Sequence, residues 1–116
     1  MSVGSMTDSI AVTAAQHRFL GAMVRLSLPG GMSALLTREE AATIARALSA
    51  VRDGRSRERT IYLSPIASDH AVTATVWFDG VTLSVGPAEH PLDWGGVDDV
   101  AAALLGDGPK AQTKSP

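Results

Sequence analysis

The sequence predicts an α+β fold: an antiparallel sheet of three to five strands with two helices packed on one face. Residues 71–86 alternate apolar and polar side chains about Asp79-Gly80, which is typical of a β-hairpin. Residues 37–54 and 94–105 instead repeat apolar residues at helical spacing. A lone hairpin is marginal in water, so its apolar face needs cover, and the two helices can supply it.

The length of 116 residues suits one domain. We expect that domain to span residues 10–106, with disordered segments at 1–9 and 107–116, which are small, polar and without a period. No cysteine is present, which excludes disulfides and thiol catalysis. There is no apolar run of about 18 residues and no basic signal segment, so we expect a cytoplasmic protein.

The region before the first helix is ambiguous, because residues 10–28 carry apolar residues at both helical and strand spacing. We expect a strand over about 18–28, preceded by a helical turn. Pro29-Gly30-Gly31 is a turn signal, after which Met32 to Leu36 forms a short returning strand.

The first helix has the clearest boundaries. Thr37 is its predicted N-cap, and Glu40 completes a T-x-x-E capping box. Gly54 stands where a helix-ending glycine belongs. The predicted buried stripe is Ala41, Ile44, Ala45, Leu48 and Val51.

An arginine-rich loop at residues 52–59 leads into a predicted strand from Thr60 to Ser64, which Pro65 ends. Alternation places Ile61 and Leu63 on one face of this strand and Tyr62 on the other. The loop could hold a phosphate backbone, but its own acidic residues and its lack of aromatic residues disfavour nucleic acid.

A type I′ turn at Asp79-Gly80 would pair position 77 with 82 and 78 with 81. The apolar residues then share one face: Val72, Ala74, Val76, Phe78, Val81, Leu83 and Val85. Trp77 lies on the opposite face with Thr73, Thr75, Thr82 and Ser84, and parity adds Tyr62 to that face.

Residues 87–93 are predicted to be irregular, and a second helix follows at about 94–105. Asp98 and Asp99 are placed in its first turn, where the helix dipole favours negative charge. Trp94 is expected to pack beside Leu92 at the helix entrance. The predicted stripe is Val97, Val100, Ala101, Leu104 and Leu105, and no internal repeat is visible.

Charge is uneven although the net charge is only −2. Residues 1–60 carry eight arginines and five acidic residues, whereas residues 61–109 carry seven acidic residues and no lysine or arginine. An acidic surface repels nucleic acid and suits a basic protein, or the arginine-rich half of a second copy.

Catalytic signals are weak. His17, His70 and His90 lack metal-ligand spacing, and adjacent Ser68-Asp69-His70 cannot form a triad. The glycine pairs Gly30-Gly31 and Gly95-Gly96 indicate turns rather than phosphate loops. We therefore expect no catalytic residue, metal or cofactor.

The leading hypothesis is a small non-enzymatic interaction module, a regulator or inhibitor that binds a larger protein or itself as a homodimer. Trp77 is the main observation, because tryptophan on an outward sheet face is typical of a binding surface. One alternative is an anti-defence inhibitor that mimics nucleic acid through its acidic surface. Another is a small-ligand or metal-dependent enzyme near His90 and Asp93. The candidate partner-binding residues are Trp77, Tyr62, Thr75, Thr82, Asp98 and Asp99.

Overall fold

The computed structural model describes residues 10–106, whose strands form two antiparallel sheets. The first sheet has the order β1-β2-β3 and the second has the order β4-β5-β6-β7. The strands are β1 (Ala11–His17), β2 (Gly21–Ser27), β3 (Ser33–Thr37), β4 (Thr60–Leu63), β5 (Val72–Trp77), β6 (Gly80–Val85) and β7 (Ala88–Asp93), and the helices are α1 (Arg38–Arg52) and α2 (Trp94–Leu104). The predicted α+β class is confirmed, with the strands divided between two sheets. The predictions for residues 1–9 and 107–116 lie outside the described residues.

The order of elements repeats along the chain, although the sequence shows no repeat. Strands β1–β3 followed by α1, and strands β5–β7 followed by α2, are each an antiparallel meander that runs directly into a helix. In both units the last strand residue is also the N-cap of the helix: Thr37 in the first and Asp93 in the second. β4 pairs with β5 and extends the second sheet.

Both helices turn their apolar stripes toward one core, which also contains side chains from both sheets. All five predicted stripe residues of α1 are buried. Four of the five in α2 are buried, whereas Leu105 is 44% exposed because it is the C-cap and α2 ends at Leu104. No helix among residues 10–106 is long and apolar enough to cross a membrane.

Local hydrogen bonds define α1 at both ends. Thr37 Oγ1 accepts a bond from Glu40 N at 3.0 Å, and Glu40 Oε1 accepts one from Thr37 N at 2.8 Å, which confirms the capping box. Gly54 has φ +76°, and its N–H donates to Val51 O at 3.3 Å. Arg55 N donates to Ala50 O at 2.9 Å, so the helix ends in a Schellman motif.

The first hairpin corrects the expectation for residues 10–28. Residues 11–17 form a strand rather than a helical turn, and residues 18–20 are a turn rather than the start of a strand. His17 explains the break, because its Nδ1 accepts bonds from the backbone N–H groups of Phe19 and Leu20, both at 3.1 Å. The short returning strand is confirmed as β3.

The central hairpin turns one step earlier than predicted. Phe78 and Asp79 occupy the turn, Trp77 pairs with Gly80, and Phe78 is 94% exposed instead of facing the core. No non-glycine residue among residues 10–106 has positive φ, which rules out the type I′ turn. The pairing register differs from the predicted one by two residues. Because the shift is even, all side chains of β5 and β6 stay on their predicted faces, and only Phe78 in the turn changes its environment.

Gly80 is required both for packing against β7 and for its own backbone conformation, which has φ +156°. A Cβ at this position would lie 2.8 Å from Asp93 Cα and closer still to the carbonyl oxygen of Leu92. The glycine therefore allows the close approach of β7, a strand that the sequence did not predict.

Residues 88–93 form an edge strand instead of the expected irregular segment. An edge position tolerates Pro91, which has no N–H for a second neighbour. Asp93 Oδ1 accepts a bond from Gly96 N at 2.8 Å and so begins α2. One expectation is therefore wrong, because Asp98 and Asp99 lie beyond the first turn of α2, whereas Gly95-Gly96 lies within the predicted helix, near its start.

Candidate protein-interaction surface

The second sheet has one side in the core and one side facing outward, which we call the outer sheet face. Val72, Ala74 and Leu83 alternate into the core, where both helices also pack. The intervening side chains are mainly threonine and serine, with two exposed aromatic residues among them. The outer sheet face consists of Thr60, Tyr62, Thr73, Thr75, Trp77, Thr82, Ser84, Glu89 and Pro91.

The Trp77 indole is held in place within the chain. Its Nε1 donates to Thr82 Oγ1 at 2.9 Å, which is a diagonal contact because Thr82 pairs with Thr75 in the ladder. The residue directly opposite is Gly80, which has no side chain, and an aromatic ring beside such a glycine is a known stabilising arrangement. Even so, Trp77 is 52% exposed. The ring is therefore oriented and its N–H satisfied, while much of its apolar surface faces outward.

A shallow hollow of about 160 Å³ lies next to this ring. Trp77 and Thr82 line it from β5 and β6, and Pro91 lines it from β7. Asp79 and Asp93 also contribute to the lining. Pro91 is the residue of this surface that sequence reasoning missed, although the alternation of the polar residues Glu89 and Asp93 with Ala88 and Leu92 in β7 could have indicated a strand there.

Tyr62 is a second exposed aromatic residue, at the other end of the same face. It is 67% exposed and pairs with Thr73. Thr73 precedes Trp77 by four positions in β5, which corresponds to roughly 13 Å along a strand. The two rings can therefore contact separate points on one partner. Four predicted residues, Trp77, Tyr62, Thr75 and Thr82, share this face.

Asp98 and Asp99 lie elsewhere, on α2, which packs on the core side of the sheet. Asp98 Oδ1 is 2.8 Å from Arg52 Nε, so this carboxylate joins α2 to the end of α1. The ion pair links the arginine-rich half of the chain to its acidic half. Part of the charge asymmetry is therefore neutralised within one molecule.

The arginine-rich loop is also partly neutralised. Asp53 accepts bonds from Arg55 Nη2 at 3.1 Å and from Arg52 Nη1 at 2.8 Å. The hydrogen bond from Arg55, followed by that from Arg52, holds the pKa of Asp53 below its ordinary value. Both of these guanidinium groups contact carboxylates, whereas Arg57 and Arg59 of the same loop form no ion pair within residues 10–106.

The alternative site near His90 and Asp93 lacks the arrangement that a metal needs. Residues 10–106 contain no group of three histidine, cysteine, aspartate or glutamate side chains placed to hold an ion. Asp93 already caps α2. The imidazole of His70 lies against Gly86, where a Cβ would be 2.8 Å from its Nδ1.

Comparison with known protein families, with curated proteins and with solved structures found no match to this chain. The outer sheet face thus has no assigned counterpart to indicate its ligand. The chemistry of its own side chains and its surrounding charge indicate the kind of partner it fits.

Proposed function

We propose that the protein is a non-enzymatic interaction module that binds a basic protein through the outer sheet face. The exposed Trp77 indole supports this most directly. Its N–H already donates to Thr82, so a partner that covers the ring does not have to supply a hydrogen-bond acceptor for it. A ring fixed before binding loses little conformational freedom when a partner packs on it.

The charge around the face favours a partner rich in arginine or lysine. Residues 61–106 contain no lysine or arginine, and Glu89 and Asp79 lie on the sheet and its turn. An arginine side chain can stack on the indole while its neighbours pair with these carboxylates. Such a module would act by occupying a partner's surface, which is the action of a regulator or inhibitor.

Mimicry of nucleic acid is less well supported than this aromatic contact. A mimic would present rows of unpaired carboxylates, and Asp98, one of the acidic residues of that half, is already bonded to Arg52. Nucleic acid itself would meet repulsion from the acidic half of the chain. Trp77 therefore distinguishes the two functions, because only protein binding through the sheet depends on it.

A peptide titration followed by ¹H–¹⁵N NMR tests the proposal. The probe is a twelve-residue alternating Arg-Ser peptide, and the matched control peptide replaces each arginine with glutamate. We expect shift changes at the Trp77 indole N–H and along β5, β6 and β7 with the arginine peptide alone. Added salt should weaken this binding, because part of it is electrostatic.

Two variants identify the surface that binds. Trp77→Ser should weaken binding at least tenfold while leaving the other resonances in place. Phe19→Ser removes an aromatic ring that is 82% exposed in the turn between β1 and β2 and should leave binding unchanged. Shift changes confined to Asp98 and Asp99, with no effect of Trp77→Ser, would contradict the proposal.

A further inference from the structure

Each edge strand of a sheet presents backbone N–H and C=O groups that can pair with another chain. The described part of the chain has four such edges: β1 and β3 in the first sheet, and β4 and β7 in the second. They differ in how well they are protected.

Three edges carry features that block strand addition. Ser68 covers β3, because its Oγ accepts a bond from Leu35 N at 2.6 Å and lies 3.5 Å from Leu35 O. β4 has only four residues. β7 carries Pro91 together with the acidic residues Glu89 and Asp93. Short length, proline and charge are the usual means by which proteins protect sheet edges.

β1 has none of these features. It is seven residues long, with the sequence A-V-T-A-A-Q-H, and contains neither proline nor a lysine, arginine or acidic residue. Within residues 10–106, its backbone bonds are those of the ladder with β2. Its exposed side chains, including Ala11, Thr13 and Ala14, are small and leave room for another backbone.

A partly apolar groove lies beside this edge. It measures about 390 Å³ and lies between β1, β2, the first half of α1 and the C-terminal end of α2, and Thr13 and Arg38 add polar groups to its lining. Its lining includes Val12 and Ala14 of β1, Val24 of β2, and Leu104 of α2. Leu105, at the end of α2, is 44% exposed there. Hydrogen-bonding capacity and uncovered apolar surface therefore coincide at one place.

We propose that a second copy of the chain adds its β1 antiparallel to this edge, so that the two first sheets form one six-stranded sheet across a two-fold axis. This surface is separate from the outer sheet face. A pair centred on Ala14 uses all seven residues of each strand. It places Thr13 opposite Ala15 and Val12 opposite Gln16, so no like charges meet.

The second copy fits the groove better than the chain's own C-terminal segment. That segment continues from Gly106, which lines the groove, and reads D-G-P-K-A-Q-T-K-S-P. It contains no large apolar side chain, and its two prolines cannot donate ladder hydrogen bonds. The β1 of a second copy instead brings Val12 and Ala14 to the core side of the extended sheet, beside the groove.

Sedimentation velocity of the full chain between about 1 and 300 μM tests the proposal, and we expect a reversible dimer. Thr13→Lys and Thr13→Glu should each weaken association severalfold, because Thr13 of one copy is the diagonal neighbour of Thr13 of the other on the same face, roughly 7–8 Å away, and like charges there repel. An equimolar mixture of the two variants should restore a dimer. Ser64→Lys, a like exchange at the exposed residue that follows edge strand β4, should leave association unchanged.

Several results would overturn the proposal: a wild-type monomer at all concentrations, association unaffected by Thr13→Lys, or a dimer lost in Trp77→Ser. A monomer that dimerises only after truncation at Gly106 would show that the C-terminal segment occupies the groove. If the Thr13 variants do not fold, hydrogen exchange of the wild type decides. Protection of β1 amides must then rise with protein concentration, and unchanged protection counts against the dimer.

Discussion

The two sheets differ in the surface that is open to another molecule, which is an edge in the first sheet and a face in the second. The first sheet presents an edge, β1, whose side chains are small and whose backbone can pair. The second sheet has edges limited by length, proline and charge, and instead presents a face that carries Trp77 and Tyr62. Edges bind through backbone hydrogen bonds, whereas faces bind through side chains. The two proposed contacts therefore use separate surfaces and do not compete.

The second sheet depends on Gly80 more than on any other residue of the turn. Gly80→Val should destabilise the protein by about 3 kcal/mol or more, because the new side chain meets the backbone of β7 at Leu92 and Asp93. Chemical denaturation measures the loss. An unchanged midpoint would mean that β7 does not pack as described.

Gly95→Ala is the matched control. It adds a Cβ inside α2, where its nearest neighbour would be Asp93 Oδ1 at 3.5 Å. We expect a gain of up to about 1 kcal/mol, because alanine is the better helix former. Opposite signs at the two glycines would show that the effect of Gly80→Val comes from the contact with β7 and the φ of +156° at this position, and not from the mere loss of a glycine.

Substitutions of buried leucines in the two helices test whether both units share one core. Leu48 of α1 and Leu104 of α2 are both buried, so Leu48→Ala and Leu104→Ala should each cost about 2–5 kcal/mol. Leu105→Ala removes the neighbouring, partly exposed side chain and should cost much less. A loss below about 0.5 kcal/mol at either buried position would contradict the shared core.

Features that depend on neighbours in sequence could be predicted, and features that depend on distant strands could not. The boundaries of α1 follow from Thr37, Glu40 and Gly54, whose partners lie within four residues. The faces of β5 and β6 follow from alternation alone. The turn position does not, because the requirement for Gly80 comes from β7, and Pro91 concealed that strand.

The candidate site could likewise be predicted only where it depends on neighbours in sequence. Parity places Trp77 and Tyr62 on an outward face, and both are exposed. The indole bond to Thr82 and the ion pair between Arg52 and Asp98 depend on three-dimensional arrangement, so the sequence could not indicate them. The β1 edge was missed because residues 10–28 fit two periods, and the side chain of His17 determines where the strand ends.

The N-caps offer a smaller comparison between the two units. Thr37→Ala and Asp93→Ala should each cost about 1 kcal/mol, because each leaves a helix N–H without its side-chain acceptor. Thr37 shares a reciprocal box with Glu40, and Glu40 Oε2 also accepts a bond from Ile66 N at 3.0 Å. Thr37→Ala should therefore loosen the loop at Ile66, and hydrogen exchange there would show it. An Ile66 amide unaffected by Thr37→Ala would mean that Glu40 holds the loop independently of the cap.

The smallest expected effect concerns Asp53, between the two arginines that follow α1. Its pKa is lowered from an ordinary 3.8, first by the hydrogen bond from Arg55. A lowered pKa means that the carboxylate stabilises the fold above the unfolded pKa, and that this contribution is lost as pH falls through the folded pKa. Arg55→Ala should raise the pKa of Asp53 toward 3.8, and Arg52→Ala should raise it less, as a carboxyl NMR titration below pH 5 would measure. Because Asp53 lies at the surface, added salt should reduce the shift. An Asp53 pKa that does not change in Arg55→Ala would show that Arg55 does not hold this carboxylate in solution, and the loop would then keep more of its positive charge available to a phosphate backbone.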